Sequence, residues 1–155
     1  MQTNRPSTLL LGLASGMSPF AMALVVPTLE LFAQQYDAPY SKIQFIISAY
    51  LFGLALAQPI VGFLSDKVGR RPVMIYGIIL FLIASFICLK AETLTTLILA
   101  RFTQGIGASV GTVMSRAIIR DTTTDNDSGK PLSRVIAIMG IAPMIAPVVG
   151  VLALE

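Results

Sequence analysis

The chain has 155 residues, of which 55% are hydrophobic and 12% are charged, and its mean hydropathy is +0.80. Because a soluble domain carries about 25% charged residues, this composition excludes an ordinary soluble protein and predicts one that lies in a lipid bilayer. The net charge of +3 comes from cations at the ends of apolar runs, so we expect no nucleic-acid partner. Histidine is absent, so we expect no metal. We also expect no cofactor and no enzyme chemistry, because the sequence shows no pair of nucleophile and base.

Five apolar runs predict five transmembrane helices, at about 7–32, 42–65, 72–90, 94–119 and 133–154. About 20 apolar residues cross a hydrocarbon core of roughly 30 Å, and each run reaches or approaches that length. The sequence therefore predicts an all-α, polytopic membrane helix bundle in which residues 1–155 form one amino-terminal transmembrane domain.

The first span contains Ala21-Met22-Ala23, which has the small residues of a signal-peptidase site. The apolar run continues past these residues and further spans follow, so we expect a retained helix. Met17 and Met22 are candidates to line an adaptable pocket on a substrate pathway. Methionines at helical spacing also serve ordinary packing, which is the alternative.

The link between spans two and three, residues 62–71, holds four formal charges and predicts a tight polar hairpin at one membrane face. Gly62 would let another helix approach the end of span two, and Gly69 would provide the turn. Span three itself is almost wholly aliphatic and aromatic. Nothing in it suggests the wall of a binding site.

Charged residues at the ends of spans two and four are expected to interact. Asp66 can accept hydrogen bonds from the amino terminus of a neighbouring helix, where a carboxylate is favoured. Arg70 can pair with Asp66 or with Asp121, which stands at the end of span four. The simplest alternative is that the cations of this region only signal topology.

Arg101 is the one cation far from the ends of a span, about eight or nine residues from the outer end of span four and thus about 12 to 13 Å deep. A guanidinium there costs roughly 2.5–3.5 kcal/mol on insertion scales, so it must face protein or water. We predict a substrate or proton pathway that includes Arg101 and Gln104. The alternative is a structural arginine held by backbone carbonyls or by Gln58. Gly105 and Gly107 are expected to permit close helix packing.

Span five contains Pro143, Pro147 and Gly150 in its interior. Transmembrane helices tolerate such residues because neighbouring helices satisfy the freed backbone groups. Since proline removes a hydrogen bond of the helical ladder, this helix is predicted to bend.

The distribution of lysine and arginine predicts the orientation. With a cytoplasmic amino terminus, only Lys42 and Lys90 lie outside, which is the bias expected from the positive-inside rule. The eight cations on the inner side are Arg5, Lys67, Arg70, Arg71, Arg116, Arg120, Lys130 and Arg134.

Three groups of residues carry a resemblance to the major facilitator superfamily. The first resembles the loop signature between its second and third helices and consists of Gly62, Leu64, Asp66, Lys67, Gly69, Arg70 and Arg71. The second resembles the fourth-helix motif of its drug:proton antiporters and consists of Arg101, Gln104, Gly105 and Gly107. The third resembles its bicyclomycin-resistance type and consists of Arg116, Ile118, Ile119, Arg120, Asp121 and residues 142–147.

The resemblance implies proton-coupled efflux of small amphipathic compounds or drugs by alternating access, the activity behind multidrug efflux and antibiotic resistance. The implied protein crosses a bacterial inner (plasma) membrane several times, and this chain supplies five spans of a six-helix half. The implied partners are a small-molecule substrate, protons, the bilayer and a missing carboxy-terminal half.

A conformational latch is implied, made of Gly62, Asp66, Gly69, Arg70, Arg71, Arg120 and Asp121. The alternatives are a truncated product or helix assembly that transports nothing, and a superfamily transporter of another small solute.

Overall fold

The computed structural model describes residues 7–122 and 129–152, with side chains in the last helix up to residue 149. Within these ranges the chain is α-helical and has no strand, which confirms the predicted fold class. A short 3-10 turn, Val26–Thr28, separates the first two helices. The α-helices are α1 Thr8–Val25, α2 Leu29–Gln35, α3 Tyr40–Ile43, α4 Phe45–Val68, α5 Arg70–Leu89, α6 Leu94–Thr122 and α7 Gly129–Leu152.

In the part of the chain that the structure describes, five segments are long and apolar enough to cross a membrane. The first contains α1, the 3-10 turn and α2, and the second contains α3 and α4. Each of α5, α6 and α7 provides one further segment. The helices extend beyond several predicted limits, since α6 reaches Thr122 and α7 already begins at Gly129.

The turn between α4 and α5 is shorter than the sequence predicted. Most of the expected hairpin over residues 62–71 is helical, because α4 continues to Val68 and α5 begins at Arg70. Gly69 alone separates them, with a φ of 101°. Only glycine adopts that backbone region at little cost, so one residue suffices to reverse the chain.

Helix α6 lies at the centre of the bundle and packs against α4, α5 and α1. Its glycines permit this, because small residues let backbones approach closely. A Cβ on Gly105 would overlap the Tyr50 carbonyl of α4, and one on Gly111 would overlap the Ala14 carbonyl of α1. A Cβ on Gly107 would lie 2.6 Å from the Phe81 nitrogen of α5. The packing roles predicted for Gly105 and Gly107 agree with these contacts.

The last helix packs against the first. Gly12 and Gly16 of α1 face Ile138 and Ala142 of α7, respectively. Helix α7 remains helical through Pro143 and Pro147 and includes the backbone of Gly150. The bend expected at these three residues stays a prediction.

Burial in the bundle differs from that in a soluble protein, because many large apolar side chains are exposed and several polar side chains are buried. Polar residues such as Arg101, Gln104 and Ser109 are buried, whereas Phe52 and Phe86 are exposed. An exterior of large apolar side chains matches a hydrocarbon solvent, and buried polar groups must then find partners inside the protein.

Aromatic and aliphatic residues close one end of the bundle. Val25, Leu29, Ile46 and Leu97 belong to one buried cluster there. The Tyr36 hydroxyl, just past α2, donates a hydrogen bond of 2.8 Å to the carbonyl of Ala91. Burial raises the pKa of Tyr36 above its ordinary value, so the hydroxyl keeps its proton and remains a donor at neutral pH.

Candidate functional site

Arg101 is buried between α6 and α1, with 3% of its surface exposed. Its Nη1 atom donates to the side-chain oxygen of Gln104, one helical turn further along α6. Nη1 and Nη2 each lie 3.4 Å from the carbonyl oxygen of Ala21 on α1. The Arg101 Cζ atom is 4.6 Å from the centroid of the Tyr50 ring on α4, a cation–π contact. The structure therefore holds the guanidinium with polarised neutral groups.

One nitrogen of this guanidinium is left without a partner. Arg101 Nε is buried and makes no hydrogen bond within the described part of the chain. Gln58, the alternative partner considered from the sequence, is exposed on α4 and is not among the residues that bond to Arg101. An unsatisfied buried donor is costly, and such a group calls for an explanation such as a ligand or an ordered water.

Hydrogen bonds extend from this centre to α5 and back to α1. Gln104 Nε2 donates to Ser85 Oγ at 2.7 Å, and Ser85 Oγ donates to the Phe81 carbonyl at 2.7 Å. The hydroxyl of Tyr50 lies 3.1 Å from both the carbonyl and the hydroxyl oxygen of Ser18. The network thus joins the four helices α1, α4, α5 and α6 around Arg101.

A cavity of about 370 Å³ adjoins this network. Arg101, Gln104 and Ser85 are on its polar side, and Phe20 and Phe81 contribute apolar surface. Its volume lies in the range of small-molecule sites, which are mostly apolar with a few placed polar groups. The site can therefore hold an amphipathic molecule whose hydrogen-bond acceptor faces the guanidinium.

Span three, in which nothing in the sequence suggested a binding wall, contributes residues to this cavity. Phe81, Ser85 and Cys88 of α5 all line the cavity. The small side chains of Ser85 and Cys88 leave space beside the larger Phe81. In the sequence Ser85 is only a mild interruption of an apolar run and Cys88 is part of that run, so the sequence gives little indication of which face of α5 turns toward α6.

The two methionines predicted on the same pathway lie elsewhere. Met17 lines a separate groove of about 310 Å³ between α1 and α7, together with Ile138 and Ala142. Met22 is half-buried on α1 and is not among the lining residues of either cavity. Only Arg101 and Gln104 of the four predicted pathway residues are therefore brought together.

At the opposite end of the bundle, Arg70 joins three helices. Its Nη1 atom is 2.6 Å from Asp66 on α4, and its Nε atom is 3.0 Å from Asp121 on α6. Nη1 also donates to the hydroxyl of Ser65. The sequence analysis expected one of the two carboxylates, and the structure provides both.

The remaining residues of the predicted latch surround this junction in different ways. Arg71 and Arg120 are exposed, and Gly69 forms the turn. Among the residues that the structure describes, the close approach expected at Gly62 is not made, since a Cβ there would meet no atom within 4 Å. A pocket of about 320 Å³ between Gly62 and Val113 occupies that space instead.

Sequence reasoning missed three participants in the Arg101 site: Tyr50, Ala21 and Ser85. Tyr50 stands three residues before Gly53, so it shares the packing face of α4. Ser85 is one of few polar residues in span three. Tyr50 and Ser85 could therefore have been recognised from the sequence. Ala21 could not, because it contributes its backbone carbonyl and its side chain gives no sign of that role.

Comparisons with known proteins give consistent results. A family model described as Major Facilitator Superfamily matches residues 11–155. An uncharacterized MFS-type transporter, YdgK of Bacillus subtilis (strain 168), is 39% identical over 141 residues, which are 91% of this chain and 35% of that protein. The multidrug resistance protein MdtL of Vibrio parahaemolyticus is 39% identical over 84% of this chain and 35% of that relative. MdtL of Escherichia coli O139:H28 is 39% identical over 84% of this chain and 36% of that relative. The chain spans about a third of the length of these relatives.

Proposed function

The chain belongs to the major facilitator superfamily, and we propose that it forms the amino-terminal part of a proton-coupled transporter that exports small amphipathic compounds or drugs. Its similarity to proteins named multidrug resistance protein MdtL supports the substrate class. Transport, rather than an enzyme reaction, is the activity to which the family points. Alternating access places a substrate between two repeats, and the rest of the transporter is proposed to supply the second.

The observation that carries this proposal is the buried Arg101 beside an apolar cavity. A guanidinium whose partners in the described part of the chain are all neutral can attract a hydrogen-bond acceptor or a carboxylate that enters the site. Gln104 fixes the guanidinium by its hydrogen bond and is itself fixed by Ser85. In the complete transporter, Arg101 would hold polar groups of the substrate or adjust a proton-binding carboxylate, while the apolar walls receive the remainder of the molecule.

The proposed setting is a bacterial inner membrane with the amino terminus in the cytoplasm. The lysine and arginine distribution supports this orientation. The junction of Arg70 with Asp66 and Asp121 would then lie on the cytoplasmic side. We propose that this junction belongs to a latch that closes in one access state and opens in the other.

Accumulation in cells tests the proposal. Cells that produce the full encoded protein are compared with cells that lack it, using cationic, neutral and anionic fluorescent amphiphiles, with and without an uncoupler. We expect lower accumulation of at least one probe, and we expect the uncoupler to abolish the difference. Equal accumulation with and without the protein for every probe would reject efflux.

Arg101→Gln separates transport from a purely structural role. We expect at least about a tenfold loss of efflux, the scale of one charge-assisted interaction, while the purified protein stays monodisperse. Gln58→Ala, on the exposed face of α4, is the matched control and should retain efflux. Unchanged efflux by Arg101→Gln, together with a lower melting temperature, would instead identify a structural arginine in the assembly.

A further inference from the structure

We propose that the cavity beside Arg101 selects amphipathic anions that carry a carboxylate and disfavours amphipathic cations. This inference rests on the transport function proposed above and names the class of its substrate. The cavity has a volume of about 370 Å³, and its polar lining includes Arg101, Gln104 and Ser85. The selectivity follows from the hydrogen-bond donors that remain on the guanidinium and from the charges that line the cavity.

One edge of the guanidinium has no acceptor in the described part of the chain. A guanidinium has five N–H donors in one plane. The bonds to Gln104 and to the carbonyl of Ala21 use both N–H groups of Nη1 and one of Nη2. The second N–H of Nη2 remains, together with that of Nε, which is buried without a partner. These two donors are parallel and form the fork that a carboxylate accepts.

The other sides of the guanidinium are already occupied. The ring of Tyr50 covers one face, with its centroid 4.6 Å from Cζ, and a cation–π contact uses the face rather than the edges. Gln104 is held in place by its hydrogen bond to Ser85. Within the described residues, the edge formed by Nε and Nη2 is therefore the one left for a ligand.

A small rotation of the guanidinium would turn this edge into the cavity. Arg101 lines the cavity, but its Nε atom is enclosed by protein. Both contacts with the Ala21 carbonyl are 3.4 Å long, which is beyond the usual range of N–H···O hydrogen bonds. Two charge-assisted bonds to a carboxylate would more than replace them. We therefore expect the guanidinium to turn from Ala21 toward a bound carboxylate.

The charge that lines the cavity is positive. Of the described residues that line it, only Arg101 carries a charge, so the lining contains no carboxylate that would attract a cation. At an effective dielectric constant of about 20, a like charge about 6 Å away is disfavoured roughly a hundredfold before screening. A cationic amphiphile would meet this repulsion, whereas an anion of the same shape would be attracted.

The apolar walls require more than a small anion. Phe20, Leu24 and Phe81 line the same cavity, and burying apolar surface against such side chains is favourable. An inorganic anion could reach the guanidinium, but it supplies nothing for these walls. The ligand class that fits both parts of the site is a carboxylate attached to an apolar ring system.

Equilibrium dialysis of the full encoded protein in detergent, with empty micelles as the blank, tests the selectivity with three probes of similar shape. 1-Naphthaleneacetate is the anion, 1-naphthaleneacetamide is neutral, and 2-(1-naphthyl)ethylammonium is the cation. We expect the anion to bind at least about tenfold more tightly than the amide, and the amide more tightly than the cation. A preference below about tenfold for the anion, tighter binding of the cation than of the amide, or no binding of any probe would overturn the proposal.

Variants of Arg101 test whether this residue causes the preference. Arg101→Gln should bind the anion and the amide equally, within about twofold. Arg101→Lys keeps the charge without the fork, so it should bind the anion at least about fivefold more weakly and still disfavour the cation. Arg134→Gln removes an exposed arginine on α7 and, as the matched control, should bind as the unchanged protein does. Full anion preference in Arg101→Gln would overturn the proposal.

Cys88→Asp tests the same point while Arg101 is retained. Cys88 lines the cavity, so the new carboxylate would compete for the guanidinium and cancel its charge. We expect at least about tenfold weaker binding of the anion and tighter binding of the cation. Unchanged binding of both probes would overturn the proposal even if Arg101→Gln does not fold.

The cell assay described above separates this selectivity from the transport function. Efflux of cationic probes by a protein that shows no anion preference would overturn the selectivity and leave the proposed transport intact. Anion binding that depends on Arg101, in a protein that exports no probe, would reject transport and retain the anion site.

Discussion

At Arg101, three kinds of neutral group together stabilise one positive charge. The side chain of Gln104, the carbonyl of Ala21 and the ring of Tyr50 each present partial negative charge to it. None of them carries the full charge that would cancel a guanidinium. The cation is therefore stabilised enough to stay in the bundle, yet its field still reaches the adjoining cavity. An arginine held in this way differs from one in a closed ion pair, and it suits the substrate site proposed above.

Gly69 provides a prediction at the same scale. Its φ of 101° and ψ of 157° lie in a region that other residues almost never adopt. Gly69→Ala should therefore lower the free energy of unfolding by about 1–3 kcal/mol, measured by unfolding of the purified protein in mixed detergent micelles. A change below about 0.5 kcal/mol, within the range of ordinary surface substitutions, would mean that the turn adopts another conformation.

The sequence predicted the residue-scale site only in part. Arg101 stands out because a charge in an apolar run is costly, and Gln104 follows because residues three apart share a helix face. Tyr50 and Ser85 come from other helices, and their contribution depends on how those helices rotate about α6. Helix α5 is apolar along almost its whole length, so hydropathy gives little indication of that rotation. Met17 was predicted to line a pocket on the substrate pathway, and it lines a separate groove next to α7.

At the scale of the element, helix α6 is distinguished by its glycines, whose lack of a side chain lets neighbouring helices approach. Gly105, Gly107 and Gly111 each face a different neighbouring helix. The sequence analysis predicted small-residue packing on this helix. It did not predict that successive glycines serve separate partners, because a repeat in one chain does not identify the backbone on the other side of each contact.

Gly105 and Gly62 form a matched pair for testing this packing. A Cβ on Gly105 would overlap backbone atoms of α4, whereas one on Gly62 meets open space. Gly105→Ala should therefore lower the free energy of unfolding by about 1–3 kcal/mol or more, as overpacking does. Gly62→Ala should leave it unchanged or raise it by up to about 1 kcal/mol through higher helix propensity. Equal effects of the two substitutions in the same unfolding assay would contradict the packing seen here.

At the scale of the whole molecule, Arg70 is the point where three transmembrane helices are tied together. Its two carboxylate partners are partly exposed, with 64% of the Asp66 side chain and 45% of the Asp121 side chain accessible. Ion pairs of that exposure contribute about 0.2–1 kcal/mol each. A tie of this strength is small against the stability of the fold, but it is large enough to change the ratio of two conformations severalfold.

Asp66→Asn and Asp121→Asn test this view of the junction. Each substitution should change the free energy of unfolding by less than about 1 kcal/mol, and the double variant should differ from the sum because both share Arg70. We expect efflux to fall more strongly than stability in the double variant. Asp37→Asn, an exposed aspartate outside the junction, should leave both measurements unchanged. A double variant with full efflux would exclude a role for the junction in transport.

The glycine contacts of α6 have a consequence for movement. Where backbone lies directly on backbone, a helix cannot slide by a residue or rotate without collision, since no flexible side chain is present to yield. Helices α1, α4, α5 and α6 should then move as one rigid body in the proposed transport cycle. The distance between probes attached to α4 and α5 should stay the same with and without the transported compound. Movement should occur at the contact between this rigid body and the rest of the proposed transporter.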